Sequence, residues 1–232
     1  MRWCCLLAVA TAATWAAAPA PEAIDPLRIL PLNYTLAFEN DWVRVIRTHY
    51  GPHEKLPVHS HSQYATVYGY LSDSPPVQFR HVEKPAFTLT RPPTKVGAFR
   101  VSPGRIEAHE VENLGDQPSD FLRIELKQIP LGVKNLFQRG AAPTDLSITR
   151  LSEEYVRPQL IIERAIVVDH NAVNLDDAAT PSLVIAFSGV RLDAETIPAG
   201  AVHWLNPGQS VRVDNLDASV AHVLRIKFPP AR

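Results

Sequence analysis

The chain carries one segment twice. The stretch from Glu112 to Ile124 aligns without a gap on the stretch from Asp214 to Ile226, an offset of 102 residues, and Asn113, Leu122, Arg123 and Ile124 recur as Asn215, Leu224, Arg225 and Ile226. Just upstream of each copy, Gly97-Ala98 and Pro103-Gly104 are echoed by Gly200-Ala201 and Pro207-Gly208. Solenoid repeats run to roughly 20–50 residues, so a period of this length marks two copies of one domain. Whatever fold the chain adopts must therefore be built twice.

The local pattern says which kind of fold. Val43–Thr48, Tyr64–Tyr70, Gly97–Val101 and Phe121–Leu126 cluster or alternate β-branched and aromatic residues, as half-buried strands do. Turn residues separate them at Ser74–Pro76, Arg91–Pro93 and Leu114–Pro118. Helical periodicity is scarce; residues 132–156 are expected to carry short helices within a connecting segment. The resulting expectation is an all-β chain, with residues 33–130 as a first domain, 131–150 as a linker and 151–232 as a second domain.

Residues 1–20 have a basic start, an apolar stretch and a small-residue end with Ala18 and Ala20 as cleavage positions, the pattern of a secretory signal peptide. Export, to the periplasm or beyond the cell, is the expected destination. That apolar stretch is shorter than the ~20 residues of a membrane span, and no later segment is long enough to be one. Both cysteines, Cys4 and Cys5, lie inside this leader. The remaining chain has no disulfide and no thiol nucleophile, and its core must hold it together unaided. A formal net charge of −1 with dispersed Lys and Arg argues against nucleic acid or an anionic membrane as partner.

The chemistry concentrates in histidine. His59 and His61 flank Ser60 on a strand-like segment, so their side chains leave on one face. His109 lies 48 residues on, within a second alternating run from Glu107 to Asn113. Three imidazoles on a β-scaffold can share an ion. Glu107 and Gln63 each lie two positions from one of these histidines and alternate toward the same interior, so either can add an oxygen donor. A carboxylate beside a divalent ion stays ionised. Asn113 is expected to bond backbone at a turn. His53, His81, His170, His203 and His222 lack the ligand spacing and are read as surface or packing residues.

Gly51, His59, His61 and Gly69, followed by Gly97, Pro103, Gly104, His109 and Asn113, resemble the two motifs of the cupin superfamily over residues 35–128. The resemblance implies two tandem jelly-roll β-barrels, with a divalent metal such as Fe(II), Zn or Mn held by His59, His61 and His109 in the first. Two departures stand out. Thr66 takes the place of the usual glutamate ligand, and the gap from Gly104 to His109 is longer than usual. A shell of three imidazoles is similar to that of cysteine-dioxygenase-like and gentisate-dioxygenase-like cupins. In the second copy Val211 stands where His109 would be, so that lobe is expected to lack a metal.

Imidazole ligands suit several first-row metals, so the ligand set leaves the reaction open. A redox metal with open positions fits oxygenation of a small organic molecule. Zinc fits hydrolysis or isomerisation, and a noncatalytic binding protein of the same fold is the remaining reading. Glu107, Arg100 and Tyr64 are the candidate catalytic residues. Tyr68 and Phe99 are candidate pocket walls, and Arg100 and Arg123 can grip a substrate carboxylate through paired N–H donors. Cupins pair through strand edges, which implies a homodimer, a need that two fused lobes can also meet within one chain.

Overall fold

The computed structural model describes residues 25–176, 179–215 and 220–229. The leader expected at residues 1–20 lies outside the described residues. After a single turn of helix, α1 (Pro26–Ile29), the N-terminal lobe runs through β1 (Tyr34–Glu39), β2 (Val43–Tyr50), β3 (Lys55–His61), β4 (Ala65–Tyr70), β5 (Val77–His81), β6 (Phe87–Arg91), β7 (Phe99–Ser102), β8 (Glu107–Asn113), β9 (Ser119–Leu126) and β10 (Gln138–Gly140). The C-terminal lobe runs through β11 (Arg150–Arg157), β12 (Leu160–Val167), β13 (Ala172–Leu175), β14 (Ser182–Ala186), β15 (Val190–Leu192), β16 (Glu195–Ile197), β17 (Val202–Leu205), β18 (Val211–Asp214) and β19 (Ala221–Lys227).

Each lobe is a pair of antiparallel sheets. The first has the orders β1-β2-β9-β4-β7-β10 and β3-β8-β5-β6, and the second β11-β12-β19-β14-β17 and β13-β18-β15-β16. Strand for strand the two orders coincide, with β10 the one addition. Neither lobe closes into a continuous hydrogen-bonded barrel; both are jelly-roll sandwiches. The two copies of the sequence repeat fall at the same place, crossing from β8 into β9 and from β18 into β19. Their asparagines do the same work: Asn113 donates from Nδ2 to the Gly51 carbonyl at 2.8 Å and Asn215 to that of Val167 at 3.0 Å.

The segment between the lobes departs from expectation. Among the described residues it holds no helix. Gln138–Gly140 instead pairs with β7 as the sixth strand of the first sheet, and Ser152–Tyr155 lies within β11. Tertiary pairing outweighed the weak local helical pattern.

The strands at the centre of the molecule are buried on both faces. On β9, Leu122, Ile124 and Leu126 join Leu160, Ile162, Leu224 and Ile226 in a core between the lobes, while Phe121 points into a separate core with Tyr50, Tyr68 and Val111 inside the N-terminal sandwich. A third core fills the C-terminal sandwich around Val184, Val213 and Val223. This apolar seam packs the lobes directly against each other. Alternation puts Arg123, two residues from Phe121, on the inner face of the N-terminal lobe, where no hydrophobic neighbour satisfies it.

Candidate metal centre

The site grows from three neighbouring strands of the smaller sheet. On β8 the burial alternates without a break, so Glu107, His109, Val111 and Asn113 all face inward. β3 is the sheet edge, the place where a strand tolerates Pro57. Its register with β8 slips between Leu56 and His59, and such bulges re-aim the side chains that follow. Beyond the slip, His59 lies opposite His109 and His61 opposite Glu107. On the other flank of β8, His81 of β5 also lies opposite His109. Cross-strand partners stand close enough to meet.

The three histidines converge. Ring centroids are 4.9 Å apart for His59 and His61, 4.9 Å for His59 and His109, and 5.2 Å for His61 and His109. One ring nitrogen from each falls within 4.8 Å of the others. His81, Glu107 and His109 meet the same test. All five side chains are buried.

The imidazoles are held neutral. Burial lowers the pKa of His59 and takes that of His61 well below the ordinary value, with the Arg123 charge adding to the second effect. Burial brings His109 down to about 3. Burial opposes ionisation of Glu107, but the Arg123 guanidinium, with Arg105 adding to it, holds its carboxyl well below the usual range. Arg123 Nη1 donates to Glu107 Oε2 at 3.1 Å and to the Tyr68 hydroxyl at 2.7 Å, and Arg123 Nε donates to Glu125 at 3.1 Å. Arg105 reaches Glu107 Oε1 at 3.1 Å.

Several donor atoms are left without a partner. His61 Nδ1 and both ring nitrogens of His109 are buried and make no hydrogen bond. Buried polar atoms are nearly always satisfied, so an unpartnered group of this kind calls for a ligand. His59 differs. Its Nδ1–H donates to the Pro57 carbonyl at 2.9 Å, which fixes the tautomer and turns the Nε2 lone pair inward, where the Tyr34 hydroxyl donates to it at 2.8 Å. The chemistry of this donor set, neutral imidazoles beside one ionised carboxylate, fits a divalent transition metal. The enclosing cavity, about 40 Å³ and lined by His61, His81, Glu107, His109, Tyr68 and Arg123 among others, has room for an ion and a little water.

Not every candidate reaches it. Tyr64 sits in the bend before β4, is 39% exposed and is absent from the cavity wall. Gln63 is exposed in the same bend, beyond the end of β3, where alternation no longer applies. Thr66 lies on the opposite sheet with its hydroxyl donating to the Tyr64 carbonyl at 3.1 Å. Gly104 keeps this bend close, because a Cβ there would stand 2.2 Å from the Gln63 carbonyl oxygen. Phe99 packs between the lobes. Arg100 does line the cavity, its guanidinium 4.1 Å from the Tyr68 ring centroid. Arg123 already has its charge paired with Glu107 and Glu125 through Nη1 and Nε.

Two participants escaped the sequence. His81 is a buried wall residue rather than a surface one, 1% exposed, stacked on Phe87 at 4.2 Å, with Nδ1 held by Glu83 at 2.9 Å. The alternation of β5 and the carboxylate two residues on were the available signals. Tyr34 opens β1 and carried no spacing signal at all. His222 is buried as well, as a packing residue against Phe187 and Arg164.

No family model and no curated protein matches the sequence. Solved structures do match the fold. The chain is similar to the bacterial pirin YhhW from Escherichia coli in complex with nickel(II), at 12% identity and a TM-score of 0.62, over 85% of this chain and 90% of that one. It is similar to YhaK from Escherichia coli at 11% identity and a TM-score of 0.58, over 85% and 92%. It also matches Bacillus subtilis oxalate decarboxylase, described with Mn(II) centres, at 11% identity and a TM-score of 0.52, over 88% and 71%. The fold is that of a two-domain cupin, and the donor cluster occupies its N-terminal lobe.

Proposed function

We propose that His59, His61 and His109 hold one divalent transition-metal ion, with Glu107 as the adjoining carboxylate, and that the protein is a metal-dependent enzyme of dioxygenase type acting on a small organic molecule. The observation that carries this reading is the set of buried, neutral, unpartnered imidazole nitrogens around an ionised glutamate. A redox-active ion there supplies oxygen activation, and zinc supplies an acidic bound water. The chain's own residues supply the rest. Arg123 and Arg105 keep Glu107 charged, Pro57 fixes the His59 tautomer, and Arg100, packed over the Tyr68 ring, belongs to the wall between this cavity and a larger opening beside it.

The leader at residues 1–20 supports export from the cytoplasm, and among the described residues no helix is long and apolar enough to cross a membrane. The test of function is elemental analysis of protein purified without chelator, followed by oxygen uptake with thiols, catechols and β-diketones. Iron with uptake upholds the oxygenase; zinc without uptake redirects the chemistry to hydrolysis. His61→Ala should strip most of the metal and His203→Ala should leave it. Equal metal in both variants removes the site.

A further inference from the structure

Beside the metal cavity lies a second, larger one. It measures about 560 Å³, within the few hundred to a thousand Å³ typical of small-molecule sites. Its walls come from the loop after β6, the start of β7 and the segment that follows β10, with His222 contributed by the C-terminal lobe. Leu89, Val96 and Phe99 give it an apolar lining. Tyr70, Leu89, Arg91 and Arg100 line both cavities, so this wall stands between the opening and the imidazoles.

The charge on that wall is unbalanced. Lys95 is tied to Asp73, the acidic residue of the lining, at 2.5 Å. Among the described residues, no carboxylate forms an ion pair with Arg91, Arg100 or Arg139, in contrast to Arg123 and Arg105, which share Glu107. Arg91 is only 5% exposed, held through Nη2 by the Ser119 hydroxyl at 2.9 Å and by Ser74, and stacked 5.1 Å from the Tyr70 ring centroid. The Nε atoms of Arg91 and Arg100 are both buried and unpartnered. For Arg91, a buried cation without an anion is costly, and hydroxyls and aromatic faces offset only part of that cost.

We propose that this cavity is the substrate vestibule and takes a small organic carboxylate, its carboxylate held by Arg100 and Arg91 and its apolar body against Leu89, Val96 and Phe99. The assignment rests on the reading of the neighbouring histidine cluster as the reaction centre. Arg100 is the specificity residue, since it faces both cavities from the strand next to Tyr68. Its planar fork matches a carboxylate in a way that a lysine does not.

Benzoate, phenylacetate and hexanoate, each beside its neutral amide, are the probes, titrated calorimetrically into the full-length protein after its metal content has been measured. The acids should bind at least about tenfold more tightly than the amides, the range of a charge-assisted pair. Arg100→Gln should abolish that preference, Arg100→Lys should restore part of it, and His61→Ala should leave it intact. Equal affinity for acids and amides, no binding of any acid, or full preference in folded Arg100→Gln overturns the assignment. If Arg100→Gln does not fold, the acid-to-amide comparison in the parent protein decides alone. Loss of acid binding in His61→Ala with retention in Arg100→Gln puts the carboxylate on the metal, which overturns the vestibule and leaves the metal reading standing. Acid preference in a protein that holds no metal in any preparation refutes the metal reading alone.

Discussion

Arg164 donates from Nη1 to the carbonyl oxygen of Gly97 at 2.7 Å, reaching from the C-terminal lobe into the N-terminal one. The reciprocal bond runs from Arg47 Nη2 to the carbonyl of Gly200 at 2.6 Å. Arg47 lies opposite Leu122 and Arg164 opposite Leu224, the same position in the two copies of the repeat. Gly97 and Gly200 likewise correspond, with φ of +84° and +79°. The lobes thus pack like the halves of a two-fold dimer, each presenting the same arginine to the same glycine of the other.

That seam makes a sharp prediction about glycine. Gly97 and Gly132 both have left-handed φ, at +84° and +80°, so alanine costs each about 1 kcal/mol of backbone strain. Only at Gly97 would the new Cβ meet another side chain, His222 Cε1 at 2.3 Å; at Gly132 nothing lies within 4 Å. Overpacking adds about 1–3 kcal/mol. Gly97→Ala should therefore fall well below Gly132→Ala in urea midpoint, and equal midpoints would mean that the seam yields freely.

The same seam shows what could be read in advance. The repeat, its strands and the inward faces of His59, His61 and His109 were legible because alternation and self-similarity are local and additive. The role of Arg164 was not, since nothing near it in sequence names Gly97, 67 residues away. His81 was missed because its ligand-like position comes from lying opposite His109 across a strand pairing, not from spacing along the chain. Tyr64 was misplaced for a related reason: the strand begins one residue later, at Ala65.

Buried ion pairs inside the N-terminal lobe should separate by burial. Arg123 is 4% exposed and bridges Glu107 and Glu125; Arg105 meets the same Glu107 from a side chain that is 44% exposed. Removing one partner of a buried pair costs roughly 3–5 kcal/mol, whereas an exposed pair contributes about 0–1 kcal/mol. Arg123→Met should unfold at much lower urea than Arg105→Ala. Similar losses in the two variants would show that the interior is wetter than its burial implies.

Acid should loosen the fold through histidine. Burial lowers both His109 and His222 to about 3, the latter helped by Arg164 and Arg150, while an unfolded chain protonates them near ~6.5. Between these values the unfolded state binds more protons, so stability falls as pH drops from ~6.5 toward 3, by about 1.4 kcal/mol per pH unit per histidine. Glu107, whose carboxyl is held low, loses its contribution in the same direction as pH falls below its unfolded value. Urea melts of chelated protein at pH 7, 5.5 and 4.5 measure the slope, and His222→Gln should flatten it by one histidine's share. The same burial implies that metal is retained well below ~6.5, the pH at which a solvated imidazole would release it.

Tyr34 sets the last test. Its hydroxyl donates to His59 Nε2 at 2.8 Å, the lone pair an ion would take, and is itself linked to the Tyr50 hydroxyl at 2.8 Å. Burial and Tyr50 push the Tyr34 phenol well above its ordinary pKa, so it is a neutral donor and a poor anionic ligand. It competes with the metal for His59. One neutral hydrogen bond contributes about 0.5–1.5 kcal/mol net, so Tyr34→Phe should tighten divalent metal binding by about two- to tenfold. Competition against a chromogenic chelator at fixed pH reads this directly. Weaker binding in Tyr34→Phe would instead make the phenol part of the metal's own shell.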